Sequence, residues 1–237
     1  MKTKILGLAL VALTLATVVF YPYTKGSSAI IDKVTLIKQS TLTQAIGAPT
    51  VEVVFVLDTT SSMDGLIHAA KEKIWSIATT MASAQPAPVI RMGLVGYRDR
   101  DDQYVTRTVD LSKDLDSVYA ALMDFQTGGG GDTPESVNEA LHAAIHDISW
   151  SQDPQAYKVV FLVGDAPPHM DYQDDVPYPQ TLADASQAGI VVNTIQCGQW
   201  GETIEPWQHI AQLGKGRFFQ VGQAGSAVAI ATPFDRE

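Results

Sequence analysis

The sequence predicts an α/β fold, doubly wound in the Rossmann manner: a mostly parallel six-stranded sheet with one antiparallel edge strand and helices on both faces. Three observations predict it. Residues 53–57, 159–163 and 190–195 are continuous apolar runs rich in β-branched side chains, as strands covered on both faces require. Between such runs lie segments with helical periodicity: Leu66, Ile67, Ala70, Ile74, Ile77, Ala78 and Met81 share one face, and Val137, Leu141, Ala144, Ile145 and Ile148 share another. Strands and helices therefore alternate, the order that builds a parallel sheet.

The elements follow in order along the chain. Residues 1–29 read as a secretory leader or an uncleaved membrane anchor. Lys2 and Lys4 precede an uncharged apolar run over 5–20, and Ser27-Ser28-Ala29 offers small residues for cleavage. This predicts an exported protein, periplasmic or extracellular, with anchoring through residues 5–20 as the alternative to cleavage. Residues 30–50 read as a connector and 51–221 as one domain. Within it, strands are expected at 53–57, 89–97, 159–163, 190–195 and 217–221. Residues 104–109 alternate with polar side chains after the short turn Asp99-Arg100-Asp101-Asp102, which marks an antiparallel edge strand. Further helices are expected near 114–125, 179–188 and 204–213, and 222–237 as a short helix or tail.

Composition narrows the function. The 237 residues are 46% hydrophobic and 18% charged, which excludes a disordered or fibrous chain. A net charge of −10 opposes attachment to nucleic acid or anionic lipid, because both need clustered Lys or Arg. Cys197 is the only cysteine, so no internal disulfide forms.

The chemistry-bearing residues stand at strand ends. Asp58-Thr59-Thr60-Ser61-Ser62-Met63 follows the first strand and puts one carboxylate and several hydroxyls into a strand-to-helix turn, the sheet edge where α/β proteins bind ligands. Leu162-Val163-Gly164-Asp165 ends a later strand with a second carboxylate. Between them, Gly128-Gly129-Gly130-Gly131-Asp132-Thr133-Pro134-Glu135 is a flexible loop delivering Thr133 to the start of a helix. Carboxylates with Ser and Thr hydroxyls form an all-oxygen set of the kind that Mg²⁺ prefers.

Asp58-x-Thr60-x-Ser62, then Thr133, then Asp165 resembles the metal-ion-dependent adhesion site of von Willebrand factor type A domains, and the resemblance spans residues 51–221. It implies that Ser62, Thr60 and Thr133 touch the metal directly or through water, while Asp58 and Asp165 hold bound waters and balance the charge. The cation is Mg²⁺ by that likeness, with Mn²⁺ or Ca²⁺ as alternatives. Thr60 departs from the family's usual Ser but keeps the hydroxyl. The family's strand order would place Asp58 beside Asp165 where the winding reverses. It further implies non-enzymatic recognition, in which an Asp or Glu of a partner protein completes the coordination shell. Met63, Tyr97, Arg98, His169, Met170 and Tyr172 are the candidates for the rim around it.

Competing readings exist for the same residues. Asp132-Thr133-Pro134-Glu135 also fits a capping box, which would make Thr133 a local structural residue. Asp58-x-Thr60, with Gly164-Asp165 and Asp171 later, is also similar to the haloacid dehalogenase-type phosphohydrolases, in which Asp58 would attack phosphorus with the help of Mg²⁺. That family inserts a helical squiggle and a hairpin flap after the nucleophile, so an uninterrupted helix over 64–84 would favour the adhesion reading. Trp200 is assigned to packing.

Overall fold

Strand β1 (Thr50–Asp58) is the first apolar run, and from Glu52 onward every residue on it is buried. Successive side chains of a strand point to opposite faces. Accordingly Val54 and Val56 enter one hydrophobic core, and Val53, Phe55 and Leu57 enter the other. A strand covered on both faces belongs at the centre of a sheet, and β1 pairs in parallel with β2 (Val89–Tyr97) on one side and β4 (Tyr157–Gly164) on the other. The computed structural model describes residues 48–222 and 227–228. The leader or anchor expected over 1–29 and nearly all of the expected connector lie outside the described residues.

With β3 (Thr106–Ser112), β5 (Ile190–Cys197), β6 (Lys215–Val221) and β7 (Ala227–Val228), the sheet order is β3-β2-β1-β4-β5-β6-β7. The six expected strands are present, with β5 and β6 continuing in parallel beyond β4. The antiparallel edge strand is β3, displaced towards the C-terminus from the expected 104–109. The two-residue strand β7 pairs antiparallel with β6, within the stretch expected as a short helix or tail. Chain order runs outward from β1 to β3 on one side and from β4 to β6 on the other. The winding therefore reverses between β1 and β4, and a crevice opens there at the strands' C-terminal ends.

Helices α1 (Ile67–Ala82) and α2 (Leu115–Asp124) cover one face through Ala70, Ile74, Ala78, Val118 and Leu122. The opposite face is covered by α3 (Val137–His146), α4 (Tyr178–Gln187) and α5 (Gly201–Leu213), through Leu141, Leu182, Trp207 and Ile210 among others. Burying one such side chain contributes about 1.5–3 kcal/mol, so these two layers dominate the stability. Lys71 of α1 donates to the carbonyls of Met123 and Phe125, the open carbonyls at the end of α2, and so anchors the start of the glycine-rich loop.

The N-terminal end of β1 shows how this fold treats a buried acid. Glu52 is completely buried, pairs with Arg91 and accepts from the Ser151 amide at 2.9 Å. Six positions along the same strand, Asp58 is equally buried and, among the described residues, has no Lys, Arg or His ion-pair partner.

Candidate metal centre

Asp58 ends β1 and begins a tight turn. The Thr60 amide and hydroxyl both donate to Asp58 Oδ1, at 2.9 and 2.7 Å, the local turn chemistry that Asp favours. Thr59 points the other way, its hydroxyl donating to the Tyr97 carbonyl at 2.8 Å and so tying the turn to β2. A single 3₁₀ turn, Ser61–Met63, then lifts Ser62 above the sheet edge. Ser62 Oγ lies 2.9 Å from Thr60 Oγ1 and donates to Asp165 Oδ1 at 2.8 Å. Asp58, Thr60, Ser62 and Asp165 thus form one continuous chain of oxygen contacts across the β1–β4 crevice.

Asp165 is fixed from the far side. Thr203 of α5 donates to its carbonyl at 2.7 Å, and the Trp207 indole donates to the next carbonyl, of Ala166, at 3.0 Å. The glycine-rich loop docks on the β1 turn by backbone bonds, Gly128 N to Thr59 O at 3.0 Å and Ser61 N to Gly129 O at 3.2 Å. Gly129 and Gly130 adopt φ of +73° and +78°, which disfavours any side chain, and a Cβ on Gly130 would meet Thr60 Cβ at 3.3 Å and Glu135 Oε1 at 3.2 Å. Thr133 is half-buried in this loop and makes no side-chain hydrogen bond to the other four oxygen-bearing residues.

Glu135 is the residue that sequence reasoning passed over. Read as the last member of a capping box, it instead lies almost fully buried beside the turn, bonded through its backbone to Pro167 O at 2.9 Å and from His169 N at 3.0 Å. The capping box does not form. Helix α3 starts at Val137 and its N-cap residue, Ser136, makes no side-chain cap bond, because Ser136 Oγ donates to Asp99 at 2.9 Å.

Three acids therefore share a crevice with little to neutralise them. Burial, then the charge of Asp165, raises Asp58 from 3.8 to about 7, against the opposing pull of the Thr60 hydrogen bonds. Burial also raises Asp165, with the Ser62 hydrogen bond opposing. Glu135 is pushed to about 9, by burial first and then by Asp58 and Asp99. Asp58 Oδ2, Glu135 Oε2 and the Tyr97 hydroxyl are buried without hydrogen-bond partners. Such orphaned oxygens are costly unless something positive meets them. The donor set fits a hard divalent cation: Mg²⁺–oxygen bonds of about 2.0–2.1 Å put neighbouring ligand oxygens about 2.9 Å apart, close to the spacings along this chain of hydroxyls and carboxylates.

The direction of these shifts makes a prediction for the metal-free protein. A carboxyl raised by folding adds stability below its unfolded value, and that contribution is lost as pH rises through its folded value. Thermal unfolding in EDTA should therefore show a midpoint falling from about pH 4 to about pH 9, most steeply below 7 where Asp58 and Glu135 both contribute, less between 7 and 9 where Glu135 alone does, and levelling off above. Glu135→Gln should flatten the upper part of that slope. A midpoint that rises over the same range would contradict the burial of these acids.

The six rim candidates separate by burial. Met63 and Tyr97 are fully buried beneath the crevice and present no surface. Arg98 is also buried, its guanidinium lying 4.6 Å from the Tyr104 ring centre and donating to Gln126 O. His169 is buried against Asp99, Asp171 and Tyr172. Met170 is 58% exposed and Tyr172 partly so. On the other side, a cleft of about 620 Å³ runs from Ser62 and Asp165 past Leu66 and Cys197 to Gln199 and Trp200. Trp200, assigned to packing from sequence, is 40% exposed at its mouth.

The chain matches the von Willebrand factor A domain family over residues 52–231. It belongs to that family. Solved structures share its fold. The SpRpn10 von Willebrand factor A domain superposes with a TM-score of 0.57 at 11% identity, covering 74% of this chain and 89% of that one. Proximal thread matrix protein 1 from the mussel byssus, with a zinc-occupied metal-ion-dependent adhesion site, gives 0.57 at 16% identity, covering 75% of this chain and 43% of that chain. At such identities the likeness is one of fold. In sequence, the chain is 28% identical over 120 residues to the alpha-protein kinase vwkA of Dictyostelium discoideum, which is 50% of this chain and 19% of that kinase. The chain thus spans about a fifth of this relative and under half of the mussel protein.

Proposed function

We propose that this von Willebrand factor A domain is a non-enzymatic, metal-dependent protein-binding module. Asp58, Thr60, Ser62, Thr133 and Asp165 would hold one divalent cation, Mg²⁺ or else Mn²⁺ or Ca²⁺. An Asp or Glu of a partner protein would complete its shell. The observation that carries this reading is the unbroken oxygen chain from Asp58 to Asp165 at the point where the winding reverses, with the second carboxylate oxygen of Asp58, Oδ2, buried and without a hydrogen-bond partner. The cation would supply the positive charge that Arg91 supplies to Glu52 at the other end of β1. The zinc held at the corresponding motif of the mussel protein supports a divalent ion here. The cleft beside Ser62 and Asp165, with Trp200 at its mouth, gives a partner side chain an apolar surface next to its carboxylate contact.

The phosphohydrolase reading loses support from the chain after Asp58. A single 3₁₀ turn leads into a continuous 16-residue helix, α1, and the next strand is the parallel neighbour β2 and not a hairpin flap. Export, to the periplasm or beyond, with or without retention by residues 5–20, rests on the N-terminal sequence alone. Among the described residues, no helix is long and apolar enough to cross a membrane.

The test is a pull-down with the exported domain as bait in Mg²⁺. Partners should elute with EDTA and should be absent when Asp165→Ala is the bait. Trp200→Ala should retain the metal response and weaken capture roughly 10-fold, the size of one partly buried aromatic contact. Partners retained equally in EDTA and on the Asp165→Ala bait would exclude the metal-centred mode.

A further inference from the structure

Next to this crevice, but using none of its five ligands, a second group of metal-binding atoms converges. Asp99 follows β2, Asp132 lies in the glycine-rich loop, and His169 lies in the loop after β4. One donor atom from each falls within 4.8 Å of the others. His169 Nε2 lies 3.4 Å from Asp99 Oδ2 and 3.7 Å from Asp132 Oδ1. These separations exceed the 2.7–3.2 Å of an N–H···O hydrogen bond, so neither carboxylate is well placed to accept a proton from that nitrogen. The first fits, and the second lies just beyond, a different geometry. Ligands about 2.0–2.2 Å from a tetrahedral ion stand roughly 3.3–3.6 Å apart.

The surroundings orient each donor. His169 Nδ1 lies 2.7 Å from Asp171 Oδ1, the carboxylate–imidazole pairing that fixes the tautomer and leaves the lone pair on Nε2, where the Tyr172 hydroxyl meets it at 3.2 Å. Asp99 Oδ1 accepts from the Ser136 hydroxyl, and the Tyr172 hydroxyl bridges Asp99 Oδ2 at 3.1 Å and His169 Nε2 at 3.2 Å, so a bound ion would take the place of the Tyr172 hydrogen between these two donors. Tyr172 stacks on the His169 ring at 4.0 Å between centres, with Arg100 4.1 Å from its own ring centre, and this locks the imidazole in place. Asp99 and His169 are buried whereas the Asp132 side chain is 66% exposed, so the group is closed beneath and open to solvent at one ligand. The charge balance calls for a cation. Asp102 and Glu135 add to Asp99 and Asp132, and among the described residues His169 is the only basic side chain within ion-pair distance of Asp99 or Asp132.

We propose that Asp99, Asp132 and His169 form a second divalent-cation site, selective for a zinc-class ion because it combines one imidazole nitrogen with carboxylate oxygens, and leaving one coordination position to water. The all-oxygen crevice and this mixed site would then hold different metals side by side, linked by the backbone bond from His169 N to Glu135 O.

The proposal is tested on the full chain carrying Asp58→Asn, which silences the first centre while leaving the second complete. Metal-stripped protein is titrated with Zn²⁺ by calorimetry, with stoichiometry from native mass spectrometry and with Co²⁺ as the absorbing probe. One equivalent of Zn²⁺ and the intense visible bands of tetrahedral Co²⁺ are expected. Adding His169→Gln should remove both. Adding Asp132→Asn, a change on an exposed loop that the fold tolerates, should also remove them. Asp171→Asn should weaken Zn²⁺ binding about 10- to 100-fold without changing the stoichiometry, as loss of an orienting carboxylate does. Failure of the Asp58→Asn chain to bind Zn²⁺ overturns the proposal, as does unchanged binding after Asp132→Asn. So does nitrogen NMR showing His169 protonated on both nitrogens and unmoved by Zn²⁺, the signature of an imidazolium held by acids.

Discussion

Asp58→Asn should make the metal-free protein more stable and the metal-bound protein impossible to form. At pH 8 the parent, stripped with EDTA, holds an ionised Asp58 in a fully buried position beside Asp165. Replacing it with a neutral amide of the same shape removes that charge. The expected gain is on the order of 1–3 kcal/mol, read as a rise in melting temperature in EDTA. Addition of Mg²⁺ should then raise the parent's melting temperature and leave the variant's unmoved. The two curves should cross as free Mg²⁺ increases. A variant that melts lower than the parent in EDTA, or that still responds to Mg²⁺, would show that Asp58 is a packing residue and no part of a cation site. At acid pH the difference in EDTA should vanish, because the parent's own carboxyl is then protonated.

Gly164→Ala should damage both the fold and the metal response. Gly164 is the last residue of β4, directly before Asp165, and a methyl there would stand 2.6 Å from the Tyr97 hydroxyl, 2.7 Å from Asp58 Cβ and 2.9 Å from Asp58 Oδ2. All three atoms belong to fully buried residues, Asp58 on β1 and Tyr97 on β2, so none yields cheaply. A loss of about 1–3 kcal/mol is expected from such overpacking, together with weaker Mg²⁺ binding as Asp58 is pushed aside. Chemical denaturation in EDTA and in Mg²⁺ separates the two effects. Unchanged stability with an unchanged Mg²⁺ titration would mean that the strands part more easily than their packing implies.

The strands were legible because burial on both faces forces continuous apolar runs, and the runs at 53–57, 159–163 and 190–195 are three adjacent inner strands, β1, β4 and β5. Asp58, Ser62 and Asp165 were legible for a related reason: polar residues directly after such runs have to fall at one edge of the sheet. Surface and burial at that edge were not. Tyr97 looks like a rim residue in sequence, but it shares the inward face of β2 with Val95, and its hydroxyl is enclosed. Met63 likewise packs into the core with Leu66 and Ala70. Glu135 was hidden by a pattern that usually stays local. Its helix begins after Ser136 because Asp99, 37 residues earlier, captures the serine hydroxyl. That competition between a near cap and a distant carboxylate has no trace in the local sequence. Trp200 was misjudged for a similar reason, since an indole beside a cleft and an indole in a core read alike until the cleft exists.

The bond between Ser62 and Asp165 closes a loop of 103 positions. An unfolded chain cannot keep two such groups together, so a cation bound at both is bound by the folded form only. Occupancy then adds to folding free energy by mass action, about 2.7 kcal/mol when the free ion stands at a hundred times its dissociation constant. The surrounding medium becomes a determinant of lifetime: where divalent ions are plentiful the domain should resist proteases, and where they are scarce it should be cleared.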